Sequence, residues 1–257
     1  MTSAISYYVD PARERPKFKP LKAWKHMQKL IADKEDTEQV FQIIEALNGD
    51  QIRQDFERFL ATETGRKLFE ARTFYPPILD DHEPLHAMDE GSVGRTYAEF
   101  MEREGLTAAG LVAESEKSTS SLRDHEDDLL WYGNRLRDTH DMFHILTGYG
   151  RDALGEASLL GFTHSQHGGL GVSFIAFMGG RQIAKIAPKS AEIRKVIGEG
   201  RRNGKRAKRI IEQDIIALLP RQISEVREEL EIEEPVLYKR ALEIFQDAGV
   251  EPMAAAA

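Results

Sequence analysis

Residues 124–160 read DHEDDLLWYGNRLRDTHDMFHILTGYGRDALGEASLL, and this stretch decides the fold. Its apolar side chains recur at the three- and four-residue intervals of an amphipathic helix, without the alternation of a half-buried strand. The spacing predicts one long helix over 124–146, a break at Gly148-Tyr149-Gly150, and a further helix from Asp152. The glycine break lets the chain turn back, as it does between neighbouring helices of all-α domains.

The flanking sequence follows the same helical pattern, so we predict an all-α fold. Three prolines within residues 1–20 favour an extended N-terminal arm, because proline fixes φ and lacks an N–H donor. No internal repeat or long linker divides the rest of the chain. We therefore expect a single compact multi-helix domain over 21–236, followed by a C-terminal helix and tail over 237–257.

The composition excludes several classes of protein. The 257 residues include no cysteine, which rules out disulfides, thiolate metal sites, iron–sulfur clusters and cysteine nucleophiles. Hydrophobic residues make up 41% of the chain, too many for a disordered protein. No apolar run approaches the ~20 residues that cross a bilayer, and the N-terminus has neither signal-peptide nor transit-peptide character. We expect a protein that is soluble or peripheral to a membrane.

The net charge of −8 is unevenly distributed. Residues 181–209 carry eleven basic and two acidic side chains, a net charge of +9, which leaves −17 on the rest of the chain. This basic stretch follows the apolar segment 168–180 and suits an anionic membrane surface, where each cation contributes about 1 kcal/mol. Nucleic acid is a competing partner, but the stretch lacks aromatic residues that stack on bases. We predict a membrane surface as partner and no nucleic acid; a solvated charged face is the alternative.

Two histidines in the sequence HDMFH at 140–144 form the strongest candidate site. On a helix, His144 lies about 40° around the axis from His140, and Asp141 lies about 100° from it. Imidazoles at this spacing can hold one metal ion. Glu156 follows the glycine break, where its carboxylate can join the set. The pattern favours zinc or another divalent ion, and hydrogen-bonded histidines on a half-buried helix face are the alternative.

A second histidine pair, His82 and His86, has the same spacing but contains Pro84. Residues 73–94 hold two further prolines and two glycines, and this composition predicts a loop. Because proline disfavours a helical residue before it, the two imidazoles are not expected to share a helix face. We therefore predict no metal site at this pair.

Four further residues are candidates for binding a substrate. Arg137 lies about one turn before the histidine pair, where it can clamp an aromatic carboxylate. His164 and His167 lie farther along the next helix, beside a glycine-rich run. Phe174 belongs to segment 168–180, whose alternating small and large apolar residues suit an elongated apolar ligand. The alternatives are an exposed helix cation, imidazoles at a helix end, and ordinary core packing.

These motifs resemble those of the ubiquinone (coenzyme Q) biosynthesis protein number-four family. HDMFH at 140–144 with Glu156 matches the HDxxH-x11-E signature of that family. EGSVGRTY at 90–97 is similar to its EGSxGRxY segment, and REEL at 227–230 with a following proline is similar to its REELGI ending. The resemblance covers roughly residues 20–236 and is strongest at the centre.

The resemblance implies an all-helical fold and a divalent metal, usually taken as Zn²⁺, held by the catalytic residues His140, Asp141, His144 and Glu156. It implies a hydrophobic cavity for a polyprenylated aromatic precursor. It also implies removal of the precursor's C1 carboxyl group, with hydroxylation at the same carbon. The implied partners are the membrane surface, other ubiquinone biosynthesis proteins and a second copy of the chain. As a bacterial member, the protein is expected in the cytoplasm, peripherally associated with the inner membrane.

Two other functions compete with a decarboxylase. The first is a non-catalytic polyprenyl-lipid-binding scaffold that organises the ubiquinone biosynthetic complex. The second is an HD-type phosphohydrolase, a helical fold with a His-Asp dyad. That class needs a further histidine and aspartate around the metal, and only His125 and Asp152 are available. The scaffold is therefore the alternative that we retain.

Overall fold

Helices make up nearly all regular structure in the computed structural model, which describes residues 6–33 and 36–250. Within these ranges the backbone forms no strand, only an isolated antiparallel bridge between Ser92 and Gln222. The all-α prediction is confirmed. The helices are α1 (Pro20–Ala32), α2 (Thr37–Asn48), α3 (Gln51–Ala61), α4 (Glu63–Ala71), α5 (Pro76–Leu79), α6 (His82–His86), α7 (Val93–Glu104), α8 (Ala108–Glu116), α9 (Asp128–Asp138), α10 (His140–Thr147), α11 (Ala153–His167), α12 (Leu170–Ile186), α13 (Ile193–Arg206), α14 (Ile215–Leu218), α15 (Ile223–Glu229) and α16 (Val236–Asp247). Single 3-10 turns occupy Ser121–Asp124, Lys189–Ala191 and Ile210–Glu212.

The N-terminal arm lies against the helices. Tyr7 packs edge-on against Phe56, with 5.2 Å between the ring centroids. The guanidinium of Arg13 forms an ion pair with Asp127 at 2.7 Å. α1 then begins at Pro20, a residue suited to a first helical turn because that turn needs no N–H donor. Residues 1–5 of the predicted arm and 251–257 of the predicted tail lie outside the described residues, and the division into three segments stays a prediction.

Buried apolar side chains form three clusters. The largest surrounds α7, α10, α11 and α13, and α16 contributes Tyr238 and Phe245 to it. A second joins α3, α4 and α9 around Phe56 and Phe59. A third joins α1, α2 and α12 around Ile43. The C-terminal helix is therefore part of the packed domain, and α10 and α11 lie within its main core.

The single long helix predicted over 124–146 is wrong. α9 ends at Asp138 and α10 begins at His140, because Thr139 leaves the helical conformation with a ψ of 1°. Its buried hydroxyl donates to the Arg135 carbonyl at 2.8 Å, a side-chain bond that competes with regular helical hydrogen bonding. The predicted break is confirmed, since α10 stops at Gly148, whose φ of +78° favours glycine.

The predicted loop over 73–94 contains two short helices, α5 and α6. Pro84 is the third residue of α6, and the first helical turn has no intrahelical partner for an N–H group there. Proline is therefore tolerated, and α6 brings His82 and His86 to 6.3 Å between ring centroids. The prediction that these imidazoles do not share a helix face is wrong.

The position of α11 is fixed by close packing against α13. A Cβ atom at Gly200 would lie 2.2 Å from the carbonyl oxygen of Ser158, so only glycine permits this approach. Among the described helices, none is long and apolar enough to cross a bilayer.

Candidate metal centre

The four residues predicted to bind a metal come together where α10 faces the first turn of α11. They are His140, Asp141, His144 and Glu156, and we call them the four-residue centre. The ligand atoms of His140, Asp141 and His144 all lie within 4.8 Å of one another. The Nε2 atom of His144 lies 3.4 Å from Oε1 of Glu156, and Nε2 of His140 lies 4.0 Å from Oε2. The two imidazole rings stand at 88° with centroids 5.0 Å apart. The turn between α10 and α11 thus places a carboxylate opposite two imidazoles.

The orientation of His144 is fixed by its surroundings. Its Nδ1 atom pairs with the backbone carbonyl of Tyr149 at 2.9 Å. Because a carbonyl only accepts, Nδ1 carries the proton and Nε2 keeps its lone pair when the ring is neutral. The ring of Phe100 stacks on the imidazole, with 5.8 Å between centroids and 23° between planes.

The Nε2 atom of His144 is the polar group in this centre whose bonding is incomplete. It is buried and has no hydrogen-bond partner among residues 6–33 and 36–250. At 3.4 Å, the approach of Glu156 is longer than an N–H···O bond, so we treat it as a charge attraction. A buried polar atom without a partner costs free energy, and a cation between Nε2 and the carboxylate would remove that cost.

Burial and charge set the ionisation of the centre. Burial lowers the pKa of His140, and the neighbouring His144 lowers it further. Burial would also lower the pKa of His144, but Glu156 outweighs it and raises that pKa. Burial would raise the pKa of Glu156, but contact with His144 and the charges of His140 and Arg151 lower it. The result is an ionised carboxylate beside two imidazoles, a donor set that suits zinc and other divalent transition metals.

Arg137, predicted to bind a substrate carboxylate, has protein partners. It forms a buried ion pair with Asp138 at 2.6 Å. It also donates to Ser115 Oγ at 2.7 Å and to Asn134 Oδ1 at 3.1 Å. A substrate would have to displace these contacts, and the predicted role of Arg137 stays untested.

The other three predicted substrate residues lie away from the four-residue centre. His164 and His167 are in the last turn of α11, about 12–17 Å along the helix from Glu156. His164 Nδ1 pairs with the Gly169 carbonyl at 2.9 Å, and His167 Nδ1 pairs with Asp55 at 2.8 Å. Phe174, on α12, packs against the core cluster that α12 shares with α1 and α2.

Arg151 is a site residue that sequence reasoning missed. It follows the Gly148–Gly150 break directly, and its charge contributes to the lowered pKa of both His140 and Glu156. It forms no ion pair with any described side chain. A cation directly after the glycine break, five residues before a predicted metal-binding glutamate, is the sequence signal that identifies it. Phe100 was missed as well, and only the tertiary packing of α7 on α10 reveals it.

The residues that an HD-type phosphohydrolase would need are engaged elsewhere. His125 pairs with Asp10 on the N-terminal arm at 2.9 Å. Asp152 accepts from the backbone N–H groups of Leu154 and Gly155 and from the hydroxyl of Tyr238. Neither side chain belongs to the four-residue centre, so this class of enzyme has no support.

An apolar surface with a basic border lies on α12 and the chain that follows it. Leu170 and Phe177, seven residues apart on one side of α12, are 59% and 56% exposed. Ten of the eleven basic side chains between residues 181 and 209 are exposed. The eleventh, Arg209, is paired inside the protein with Asp55 and Glu212.

Comparison with known proteins gives a family match over most of the chain. The family described as coenzyme Q (ubiquinone) biosynthesis protein Coq4 matches residues 23–236. A mitochondrial ubiquinone biosynthesis protein of Botryotinia fuckeliana is 27% identical over 184 residues, which cover 70% of this chain and 61% of that protein. The corresponding protein of Yarrowia lipolytica is 28% identical over 186 residues, covering 70% and 65%. The chain thus spans about three fifths of the length of the curated relatives it matches.

A solved structure shares the fold. The crystal structure of a protein from Nostoc punctiforme superimposes with a TM-score of 0.65 at 22% identity and covers 85% of this chain and all of that chain. The curated relatives are named as mitochondrial proteins. That finding overturns the expected location, so the prediction of a bacterial cytoplasmic protein at the inner membrane is wrong.

Proposed function

Because the chain belongs to the coenzyme Q (ubiquinone) biosynthesis protein Coq4 family, we propose that it carries out a metal-dependent step of ubiquinone biosynthesis at the four-residue centre. The observation that carries this proposal is the buried, unpartnered Nε2 atom of His144, which faces Glu156 at 3.4 Å. This atom has the lone pair, the fixed tautomer and the carboxylate neighbour of a metal-binding histidine.

The residues of the centre fit a divalent ion such as zinc. His140 and His144 would supply imidazole nitrogens, and Asp141 and Glu156 would supply carboxylate oxygens. When bound, such an ion would act as a Lewis acid that stabilises negative charge on a substrate carboxylate or phenolate. Tyr149 would act indirectly, since its carbonyl holds His144 in the productive tautomer.

The substrate that we propose is a polyprenylated 4-hydroxybenzoate-type precursor, which would lose its C1 carboxyl group and gain a hydroxyl at the same carbon. In balanced form, the aromatic carboxylate and one water give the phenol, CO₂, one proton and two electrons. The electrons pass to an external oxidant. Arg151 is our candidate for binding the carboxylate, because its positive charge acts on Glu156 and it forms no ion pair among the described side chains.

The apolar surface of α12 supports a membrane-bound or membrane-derived substrate. Leu170 and Phe177 can enter the headgroup region while the exposed cations of residues 181–209 contact anionic lipid. A polyprenyl tail partitions into the bilayer, so docking of this surface would bring the aromatic head group near the protein. We propose peripheral membrane association by this surface.

The test is to incubate the purified protein with the carboxylated precursor and O₂ and to detect carboxyl loss by mass spectrometry, with metal analysis of the same sample. His144→Ala should bind about one metal ion fewer per chain than the wild type and should form no product. His164→Ala is a matched control for metal content, because its Nδ1 also pairs with a backbone carbonyl five residues later. Metal content that is unchanged in His144→Ala would overturn the proposed centre.

A non-catalytic lipid-binding scaffold is the second candidate function. The exposed apolar residues of α12 favour it, since they can bind lipid whether or not the metal centre turns over substrate. A scaffold predicts that His144→Ala still binds prenyl lipid and loses assembly with other ubiquinone biosynthesis proteins. An enzyme predicts that the same variant keeps assembly and loses turnover.

A further inference from the structure

A second group of metal-ligating side chains lies between α6 and α7. Nδ1 of His82 lies 3.1 Å from Oε1 of Glu102, and Nε2 of His86 lies 2.8 Å from the same oxygen. The ligand atoms of all three residues lie within 4.8 Å of one another. The two imidazole planes meet at 85°. Two nitrogens and one oxygen thus converge on one point at the protein surface.

This second group is separate from the four-residue centre. Both groups of ligands lie next to α7. One side of this helix packs against α10 through Phe100, which stacks on His144. Glu102 is two residues farther on and therefore about 200° around the helix, on the opposite side. There α7 meets α6, which is anchored in the core by the buried Leu85. The two groups of ligands thus lie on opposite faces of one helix.

We propose that His82, His86 and Glu102 form a second divalent-metal site of the zinc class. Zinc binds nitrogen and oxygen ligands at about 2.0–2.2 Å in a tetrahedron, so two ligands of one ion lie about 3.4 Å apart. The observed separations of 3.1 and 2.8 Å from Glu102 differ from that by a few tenths of an ångström. Small side-chain rotations would admit the ion. Imidazole nitrogens favour zinc, copper and nickel over magnesium and calcium.

The ring of His82 is oriented from its Nδ1 side alone. Its second nitrogen, Nε2, is buried and has no hydrogen-bond partner in the part of the chain that the structure describes. Burying an imidazole in this way is unfavourable by itself, and Glu102 is the group that orients the ring. A metal on Nδ1 would hold the ring in the same orientation more strongly than one hydrogen bond.

The site would be open and exchangeable. The side chains of His82, His86 and Glu102 are 20%, 39% and 51% exposed, and three protein ligands leave a coordination position for water. A bound ion would join α6 to α7 and so stabilise the native state, because the unfolded chain does not hold these ligands together. The ion would also connect the proline-containing segment before α7 to α7 itself, the helix whose Phe100 packs on His144.

The experiment uses the full chain with His140 and His144 both replaced by alanine, so that zinc bound to this protein reports the second site alone. Equilibrium dialysis against ZnCl₂ should give one saturable zinc per chain, and MgCl₂ at the same concentration should not compete. Adding His86→Ala or Glu102→Gln should weaken zinc binding by about tenfold or more. His125→Ala is the matched control, since that histidine pairs with a single carboxylate and no second imidazole.

Thermal unfolding gives an independent readout. Zinc should raise the Tm of the double variant, and His86→Ala should abolish the rise while leaving the circular dichroism spectrum unchanged. The proposal is overturned if the double variant binds no saturable zinc, or if His86→Ala binds it as tightly as its parent. Both outcomes are distinct from failure of the four-residue centre, which is judged by the metal content of His144→Ala.

Discussion

His144 and Glu156 face each other across the turn between α10 and α11, with 3.4 Å between Nε2 and Oε1. His144 is held on its other side by the Tyr149 carbonyl, which pairs with Nδ1. Glu156 provides the negative charge that raises the pKa of His144. The pair sets an imidazole nitrogen opposite a carboxylate in the candidate centre. It also provides a direct test of the electrostatics.

Glu156→Gln should lower the pKa of His144 in metal-free protein. The carboxylate raises that pKa against the opposing effect of burial, and a neutral amide cannot do so. A histidine NMR titration in the presence of a chelator measures the change. Glu99→Gln, which removes a surface carboxylate paired with Arg95, is the control and should leave the titration of His144 as it is.

The two arginines near the centre should differ in their effects. Arg151→Gln should raise the KM for the carboxylated precursor with little loss of stability, because the side chain forms no ion pair within the described residues. Arg137→Gln should cost about 3 kcal/mol of unfolding free energy, because it leaves Asp138 buried and unpaired. Steady-state kinetics and urea unfolding separate the two effects. A rise in KM with Arg137→Gln alone would favour the role predicted for Arg137 from the sequence.

Phe100 should matter to the centre through its stacking on His144. Phe100→Leu keeps an apolar side chain of similar volume and should cost less than about 1.5 kcal/mol, whereas Phe100→Ala should cost about 3 kcal/mol. Both variants should bind zinc more weakly than the wild type, because the imidazole loses the ring that restricts it. Equal zinc affinity in all three proteins would show that Tyr149 alone orients His144.

The buried Asp55 network should make stability depend on pH. Burial would raise the pKa of Asp55, but His167, Arg209 and Tyr132 lower it to about 2. A folded-state pKa below the unfolded value of about 3.9 contributes stability that is present above pH 4 and lost as the pH falls towards 2. Between pH 5 and pH 3 this loss should be about 1 kcal/mol.

Asp55→Asn tests this dependence. The variant has no carboxylate to protonate, so urea unfolding at pH 5 and pH 3 should show a pH effect about 1 kcal/mol smaller than in the wild type. It should also be less stable at pH 7, because Arg209 loses its buried partner. Asp50→Asn, at a half-exposed position at the start of α3, is the comparison that should retain the wild-type pH effect.

The apolar surface of α12 should control membrane binding. Phe177→Ser should reduce co-sedimentation with vesicles that contain anionic lipid several-fold, because a serine cannot bury apolar area in the bilayer. Phe74→Ser is the matched control, since Phe74 is also exposed, at 60%, but lies outside α12. Equal losses in both variants, or binding that does not depend on anionic lipid, would contradict docking by this surface.

The sequence by itself determined the fold class and identified the four residues that the structure brings together in the candidate centre. Helical periodicity is a local property, and the HDMFH spacing places His140 and His144 on one face of any helix that contains them. The break at Gly148 was equally readable, because a left-handed residue there favours glycine. The separation of α9 from α10 at Thr139 was not predicted, since it depends on where one hydroxyl finds its acceptor.

Only the tertiary structure decided which side chains meet. Arg137 has the correct spacing to bind a carboxylate, yet its guanidinium is held by Asp138 and Ser115, whereas the charge of Arg151 helps to lower the pKa of Glu156. His82 and His86 looked separated by Pro84, yet the first turn of α6 accepts a proline and Glu102 arrives from α7. Periodicity describes one helix at a time. Contacts between helices depend on how their faces pack, and that packing is settled by the whole core.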